Sequence, residues 1–442
     1  MTNRTLRILM AAAVAAFLAA AVAQAASAAP SVTLLGRGAK NVQSKTLVAG
    51  GAAAPRGTLR VESAMGHLTV TAWDKPEVSA EATVEVGDAD AAYIKKFLDE
   101  TTLTLEPAAG GGLVLRLRTP LDRGERHVGR SLSFAARLAV RVPAAQSLRT
   151  ANSFGDLTVT GITGKLGLRN ESGKVRIEGC GGELALENSF DEVRVADFKG
   201  PVDIRNESGA VRLERIGGKA EVRNSFSEVR FEKIGGPLTV TAESSPVTGS
   251  GVVGDCLISS SFAAIDVRGI DGALEVRGES AKVAISDVKK DASLRSSFEA
   301  IEARRVGGRL TVAAESADVL AEDIGGASDV RTSFGDVVLR RAAGPIIVAG
   351  ESAGVEIEDI ACPPAGCLID VRTTFRPIEV TLPAGSAVRG TAQADFGRVL
   401  TDLPVTLLQS RELETQVVSF GEGAGGITLR LKTNGDITVR KK

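Results

Sequence analysis

Histidine is nearly absent from this 442-residue sequence, cysteine is rare and aromatics make up 4%. His67 and His127 are the two histidines, and the cysteines are Cys180, Cys256, Cys362 and Cys367. A zinc site needs about four clustered nitrogen or sulfur ligands, and no spacing here supplies them. The 53 Lys and Arg nearly balance the 54 Asp and Glu, so the net charge is −1. That leaves no whole-molecule field to draw in a polyanion. No basic stretch is interleaved with aromatics, so nucleic acid is not an expected partner. There is also no nucleophile elbow, phosphate loop, His-Glu zinc motif or calcium loop. Gly217-Gly218 and Gly235-Gly236 lead into Lys219-Ala220-Glu221 and Pro237-Leu238-Thr239. The recurrent Asp of calcium-binding nonapeptide arrays is missing from both. No catalytic residue, metal or cofactor is expected.

What the sequence does have is a repeat. Residues 152–349 divide into eleven blocks of eighteen without insertion or deletion. One apolar column runs Leu157, Val175, Val193, Val211, Val229 and onward; a second runs Leu168, Leu186, Ile204, Val222, Val240; a third runs Ile162, Cys180, Phe198, Ile216, Ile234. Fixed-period self-similarity is the signature of a stacked array. Within a block the alternation has period two, as in Leu157-Thr158-Val159, with β-branched residues and Gly, Asn or Ser at the ends. The reading is an all-β parallel β-solenoid whose eighteen-residue coils each hold two short strands. Coils stacked about 4.8 Å apart would make a rod on the order of 50 Å long. An antiparallel β-meander of nine-residue units is the alternative.

A slower rhythm has period thirty-six. Phe154, Phe190, Phe226, Phe262, Phe298 and Phe334 share a column with Ser172, Ser208, Ser244, Ser280, Ser316 and Ser352. Large stacked over small suggests tight packing of the rings between layers. Glu171, Glu207, Glu243, Glu279, Glu315 and Glu351 recur beside them, where a turn or packing role suffices. Asn152, Asn170, Asn188, Asn206 and Asn224 form a column at a turn, and stacked Asn side chains can hydrogen-bond along a solenoid.

The rest of the chain frames this array. Residues 1–28 read as a signal peptide: Arg4 and Arg7, an apolar run from Ile8 to Ala23, then small-x-small cleavage sites ending at Ala25 or Ala28. There is no lipid-accepting Cys nearby and no twin arginine. With the signal removed, no integral membrane segment is expected, and neither is a carboxy-terminal anchor. Residues 29–56 read as a flexible lead-in. Residues 57–151 read as an amino-terminal β-rich cap with one short helix, Ala91 to Glu100, capped by Asp88 or Asp90. Residues 350–442 read as irregular solenoid coils and a carboxy-terminal cap, with Lys441 and Lys442 blunting an exposed last strand. In an oxidising compartment Cys362 and Cys367 read as a disulfide closing a small loop, with two free thiols as the alternative. Cys180 and Cys256 read as buried free thiols.

Arg176, Arg194, Arg212 and Arg230 share one outward column and form the candidate polyanion-binding stripe, suited to acidic polysaccharide or lipopolysaccharide phosphate. Neighbouring glutamates can pair with them, which would give a solvated mixed surface instead.

Several stretches resemble a bacterial family of exported "putative adhesin" proteins with β-strand repeats, related to auto-transporter adhesin head domains. They are Gly57-Thr58-Leu59-Arg60-Val61, Leu68-Thr69-Val70 leading to Trp73-Asp74-Lys75-Pro76-Glu77-Val78, Leu138 to Pro143, and the recurrent S-x-G-x-V and S-F-x-x-V units. The resemblance implies a β-solenoid and carries no catalytic residues. The expectation is therefore a non-enzymatic protein, exported to the periplasm or beyond, serving as an adhesin-like or scaffolding surface. Its partners would be envelope polysaccharide or a surface protein. The alternatives are a polysaccharide-active β-helix enzyme and a passive envelope structural protein.

Overall fold

Alternation turns directly into burial along every coil. In Leu166–Ser172 the side chains of Leu166, Leu168 and Asn170 point inward while Arg169 and Glu171 face solvent, and Val175–Glu178 repeats the pattern after a turn. The computed structural model describes residues 32–35, 39–108, 111–123, 132–363, 366–411, 415–421 and 426–442. The proposed signal peptide, residues 1–28, lies outside them.

Pairing between successive coils is parallel and in register. Leu157 pairs with Val175, Val175 with Val193 and Val193 with Val211 in one sheet (sheet I); Leu166 pairs with Leu184 and Leu184 with Val202 in the other (sheet II). The eighteen-residue offset is a coil of a two-sheet parallel solenoid, and the antiparallel meander is ruled out for the repeats. Burying both inner faces against each other is what a parallel sheet requires.

The third apolar column lies five residues after the first, which strict alternation cannot explain. The backbone explains it. Asp197, Arg215, Lys233, Asp287, Arg305, Asp323 and Arg341 all sit at φ between 52° and 59°, with Gly161, Gly179, Gly251 and Gly269 in the same column. One left-handed residue per coil turns the strand end back toward the interior, so Phe198 and Ile216 are buried and paired. At the following turn the coils come so close that a Cβ on Gly200 would lie 1.7 Å from the carbonyl oxygen of Gly182.

The inner columns accommodate size locally. Phe231 is 1% exposed, and a Cβ on Gly249, the residue paired with it in the next coil, would come within 2.5 Å of its ring. The Asn column forms a buried ladder: Asn152 Nδ2 donates to Asn170 Oδ1 at 2.9 Å, Asn170 to Asn188 at 3.1 Å, Asn188 to Asn206 at 2.8 Å and Asn206 to Asn224 at 3.1 Å.

Both ends stack out of chain order. Strand Thr58–Met65 lies between Gly112–Arg118 and Ser147–Phe154, and His67–Trp73 lies between Leu132–Pro143 and Leu157–Thr160. The strands Gly112–Arg118 and Leu132–Pro143 thus stack outside the coil that precedes them in sequence. Antiparallel strands Glu77–Gly87 and Thr102–Pro107 cover them. The helix Ala91–Glu100, capped by Asp90 accepting from Tyr93 N, sets Phe97 against Phe134 with ring centroids 5.8 Å apart. The lead-in reading fails for residues 43–52: Gln43–Ala52 is a strand paired along its length with Glu77–Gly87. Small Gly and Ala side chains suit close backbone pairing as well as flexibility, and composition alone did not separate the two.

At the far end, Ile427–Thr433 slots between Cys367–Arg372 and Val388–Asp395, and Ile437–Lys441 between Ile378–Leu382 and Val399–Thr401. The last strand is therefore interior to its sheet, contrary to the exposed edge expected. Lys441 N donates to the Asp402 carboxylate, and Lys442 Nζ pairs with Asp359.

Candidate functional site

The corner where sheet II turns into sheet I carries the most distinctive surface of the molecule. In the coils of Phe154, Phe190, Phe226, Phe262, Phe298 and Phe334 a polar side chain (Asn152, Asn188, Asn224, Ser260, Ser296 or Thr332) occupies the interior two residues before the ring. Asn188 Nδ2 donates to Phe190 O at 2.8 Å, Asn224 Nδ2 to Phe226 O at 2.7 Å and Thr332 Oγ1 to Phe334 O at 2.8 Å. After Phe154, Phe190, Phe226 and Phe334 the chain turns through a positive-φ residue, Gly155, Asp191, Ser227 and Gly335 respectively. The inside of the corner is already filled, so the ring swings outward. Phe154, Phe190, Phe226, Phe262, Phe298 and Phe334 are 51% to 65% exposed, and Phe375 and Phe396 are more so. The expected packing of these rings between layers is overturned. The buried large-over-small pair is Phe231 and Gly249 instead.

Register makes this corner a ladder. Ser172 pairs with Phe154 on one side and Phe190 on the other; Phe226 pairs with Ser244; Ser316 and Ser352 flank Phe334. Phe and Ser therefore alternate coil by coil, and successive rings stand about 9.6 Å apart, two coil spacings. Glu171, Glu207, Glu243, Glu279, Glu315 and Glu351 stand one residue earlier on the Ser-bearing coils, and all are exposed. None of these six forms an ion pair among the described residues. An open groove of about 660 Å³ runs along the amino-terminal part of the ladder; Phe154 and Phe190 line it, with acids Glu171, Glu187, Glu207 and Glu243 and arginines Arg169, Arg205 and Arg223.

At the left-handed corner, Arg215 is bidentate on Asp197 at 2.5 and 2.8 Å, Arg305 on Asp287 at 2.6 and 2.9 Å, and Arg341 on Asp323 at 2.6 and 3.0 Å. These hydrogen bonds hold the three carboxyls below the usual range and push the guanidinium groups up. Asp287, Arg305, Asp323, Arg341 and Asp359 alternate in sign at eighteen-residue steps, a pattern visible in the sequence that the apolar columns overshadowed.

The arginine stripe lies in one register. Arg176, Arg194, Arg212 and Arg230 pair coil to coil on the outer face of sheet I, between Thr158 and Thr248. Arg194 donates to Glu214 at 3.1 Å and Arg212 lies 3.4 Å from Glu192. Among the described residues Arg176 and Arg230 have no ion pair. Half of the stripe is thus internally neutralised.

Cys362 and Cys367 are joined through sulfur with Cα atoms 5.5 Å apart, while Cys180 and Cys256 are buried free thiols. Burial pushes the Cys256 thiol up to about 12 and raises that of Cys180. The described residues hold no group of three or more His, Cys, Asp or Glu placed to bind a metal ion. No helix among them is long and apolar enough to cross a membrane.

No family model matches the sequence, and no curated protein does. A solved structure of a "putative cell adhesion protein" from Clostridium sporogenes aligns with 90% of this chain and 100% of that one, at 8% identity and a TM-score of 0.20. A likeness at that level carries no argument about fold or role.

Proposed function

We propose that this protein is a non-enzymatic, exported binding surface of the bacterial envelope, adhesin-like in action, with the exposed Phe ladder as its contact edge. The observation that carries this reading is the row of six half-exposed rings at two-coil spacing. Six large rings exposed in one line are more than the singly scattered apolar side chains of an ordinary surface, and a rigid solenoid presents such a row without the entropy cost of ordering loops. The uninserted blocks of residues 152–349 favour an extended contact over a catalytic cleft. Export rests on the signal-peptide pattern of residues 1–28, and Cys362–Cys367 suits an oxidising compartment.

The test is retention of envelope material. Purified protein and a Phe190→Ser/Phe226→Ser/Phe262→Ser variant would be incubated with envelope polysaccharides and with surface-protein extracts, and both retention and chain cleavage measured. Retention lost in the variant, without cleavage, is the expected result. Cleavage would replace this reading with the enzyme alternative, and equal retention by both proteins would remove the ladder from the contact.

A second reading concerns the arginine stripe. Four guanidinium groups in one register, two of them unpaired, suit an acidic polysaccharide. Salt-sensitive retention of a polyuronate, lost when Arg176, Arg194, Arg212 and Arg230 become Ser, is the result that would support it.

A further inference from the structure

We infer that the occupant of the Phe ladder is an extended β-linked glycan carrying free amino groups; this rests on the adhesive reading and names its ligand. Three observations converge. The first is period. Rings recur about every 9.6 Å. An extended β-1,4-linked hexose chain presents the same face on every second sugar and advances by a closely similar step. Alternate sugars therefore fall over successive rings, and the sugars between them fall over the Ser-bearing coils, where the small side chain leaves room.

The second is chemistry of contact. A phenyl face accepts the apolar C–H face of a pyranose and attracts a nearby cation through its quadrupole. The rings project from a corner beside an open groove that follows the rod, which suits a chain lying along it.

The third is charge. Each ring has an exposed carboxylate one coil away, and none of these carboxylates is ion-paired among the described residues, whereas Arg169, Arg205 and Arg223 beside the ladder are matched by Glu187, Asp203 and Glu221. One unpaired negative charge per two sugars repels a polyuronate and complements an ammonium, which a carboxylate binds by charge-assisted hydrogen bonds. From Phe154 to Phe334 the ladder spans roughly 48 Å. Affinity should therefore climb with chain length as more rings are engaged, and level off once the oligomer covers the ladder.

The experiment measures binding of purified protein to β-1,4-linked glucosamine oligomers of graded length, to their N-acetylated counterparts and to a polyuronate. The amine form should bind at least tenfold more tightly than the acetylated form, with affinity rising up to about ladder length and then levelling. A Glu207→Gln/Glu243→Gln/Glu279→Gln variant should lose at least tenfold for the amine form only. The Phe190→Ser/Phe226→Ser/Phe262→Ser variant should lose binding altogether. Circular dichroism and denaturation midpoints unchanged from the parent would show that both variants fold. Equal binding of amine and acetylated oligomers, or amine binding that survives removal of the rings, overturns the inference. Phe-dependent retention of another glycan would sink this ligand and leave the adhesive edge standing; no Phe-dependent retention of any envelope material would sink both. A parent dimer that the Phe variant converts to monomer, with no glycan bound, would assign the edge to self-association.

Discussion

Asn188 and Phe190 are two residues apart on one strand, and the corner geometry predicts opposite consequences for their removal. Asn188 is 4% exposed and its amide nitrogen donates at 2.8 Å to Asn206 Oδ1 and at 2.8 Å to Phe190 O, while its oxygen accepts from Asn170 at 3.1 Å. Asn188→Ala deprives three acceptors of a donor, Asn206 Oδ1, Phe190 O and, at 3.3 Å, Asp191 O, whereas Asn170 Nδ2 keeps its bond to Gly173 O at 3.0 Å. At about 1–3 kcal/mol for the buried Asn206 Oδ1 left unsatisfied, and about 1 kcal/mol more for the part-buried turn carbonyls that water can reach, the loss should be about 2–4 kcal/mol. Asn188→Asp should cost more, because it removes the donor and also buries a charge facing Asn206 Oδ1. Phe190→Ser removes a ring already 54% exposed and should change stability by no more than about 0.5 kcal/mol. The assay is guanidinium denaturation followed by circular dichroism, comparing midpoints with the slopes checked for constancy, since long arrays can lose cooperativity. If Asn188→Ala unfolds within about 0.5 kcal/mol of the parent, or Phe190→Ser proves as costly as Asn188→Ala, the account of the corner is wrong.

Three further outcomes are expected. Gly249→Val should destabilise by about 1–3 kcal/mol through collision with Phe231, and Phe231→Leu in the same chain should recover part of that loss, a non-additivity that the double variant's denaturation midpoint would reveal. Asp197, Asp287 and Asp323 have folded pKa values depressed by their arginine partners, so the stability they contribute is present above the unfolded value of about 3.9 and is lost as pH falls through the lower folded values; denaturation midpoints should fall at acid pH less steeply in an Asp197→Asn/Asp287→Asn/Asp323→Asn variant. A thiol reagent should find no fast-reacting cysteine in the native protein and two after unfolding, because Cys180 and Cys256 are buried and Cys362 is bonded to Cys367; four after unfolding would remove the disulfide.

Much of the corner was legible as pattern and misread as orientation. The Phe, Ser, Glu and Asn columns all stand in the sequence at fixed intervals. Period-two counting from Leu184 and Leu186 leads through Asn188 to Phe190 and places the ring inside. Asn188 in the same inward series was the clue that the interior ends there. The bonds that let a buried Asn satisfy the turn carbonyls, and so rotate the next inward position to solvent, exist only once coils are stacked. The arginine stripe was legible in register for the same reason that the columns were, but the pairing of Arg194 with Glu214 and of Arg212 with Glu192 crosses coils and depends on rotamers.

By itself the sequence determined the all-β class, the eighteen-residue coil, the two strands per coil and the buried columns, because side-chain alternation and a fixed repeat constrain local conformation and register together. Tertiary structure alone decided which face each corner residue takes and the order in which the terminal coils stack. Strands Gly112–Arg118 and Leu132–Pro143 lie outside the coil that precedes them, and strand Ile437–Lys441 inserts between Ile378–Leu382 and Val399–Thr401. Parallel stacking is satisfied by any neighbour with an apolar inner face and free backbone donors. The choice among such neighbours is made by the packing of the ends, which no repeat in the chain encodes.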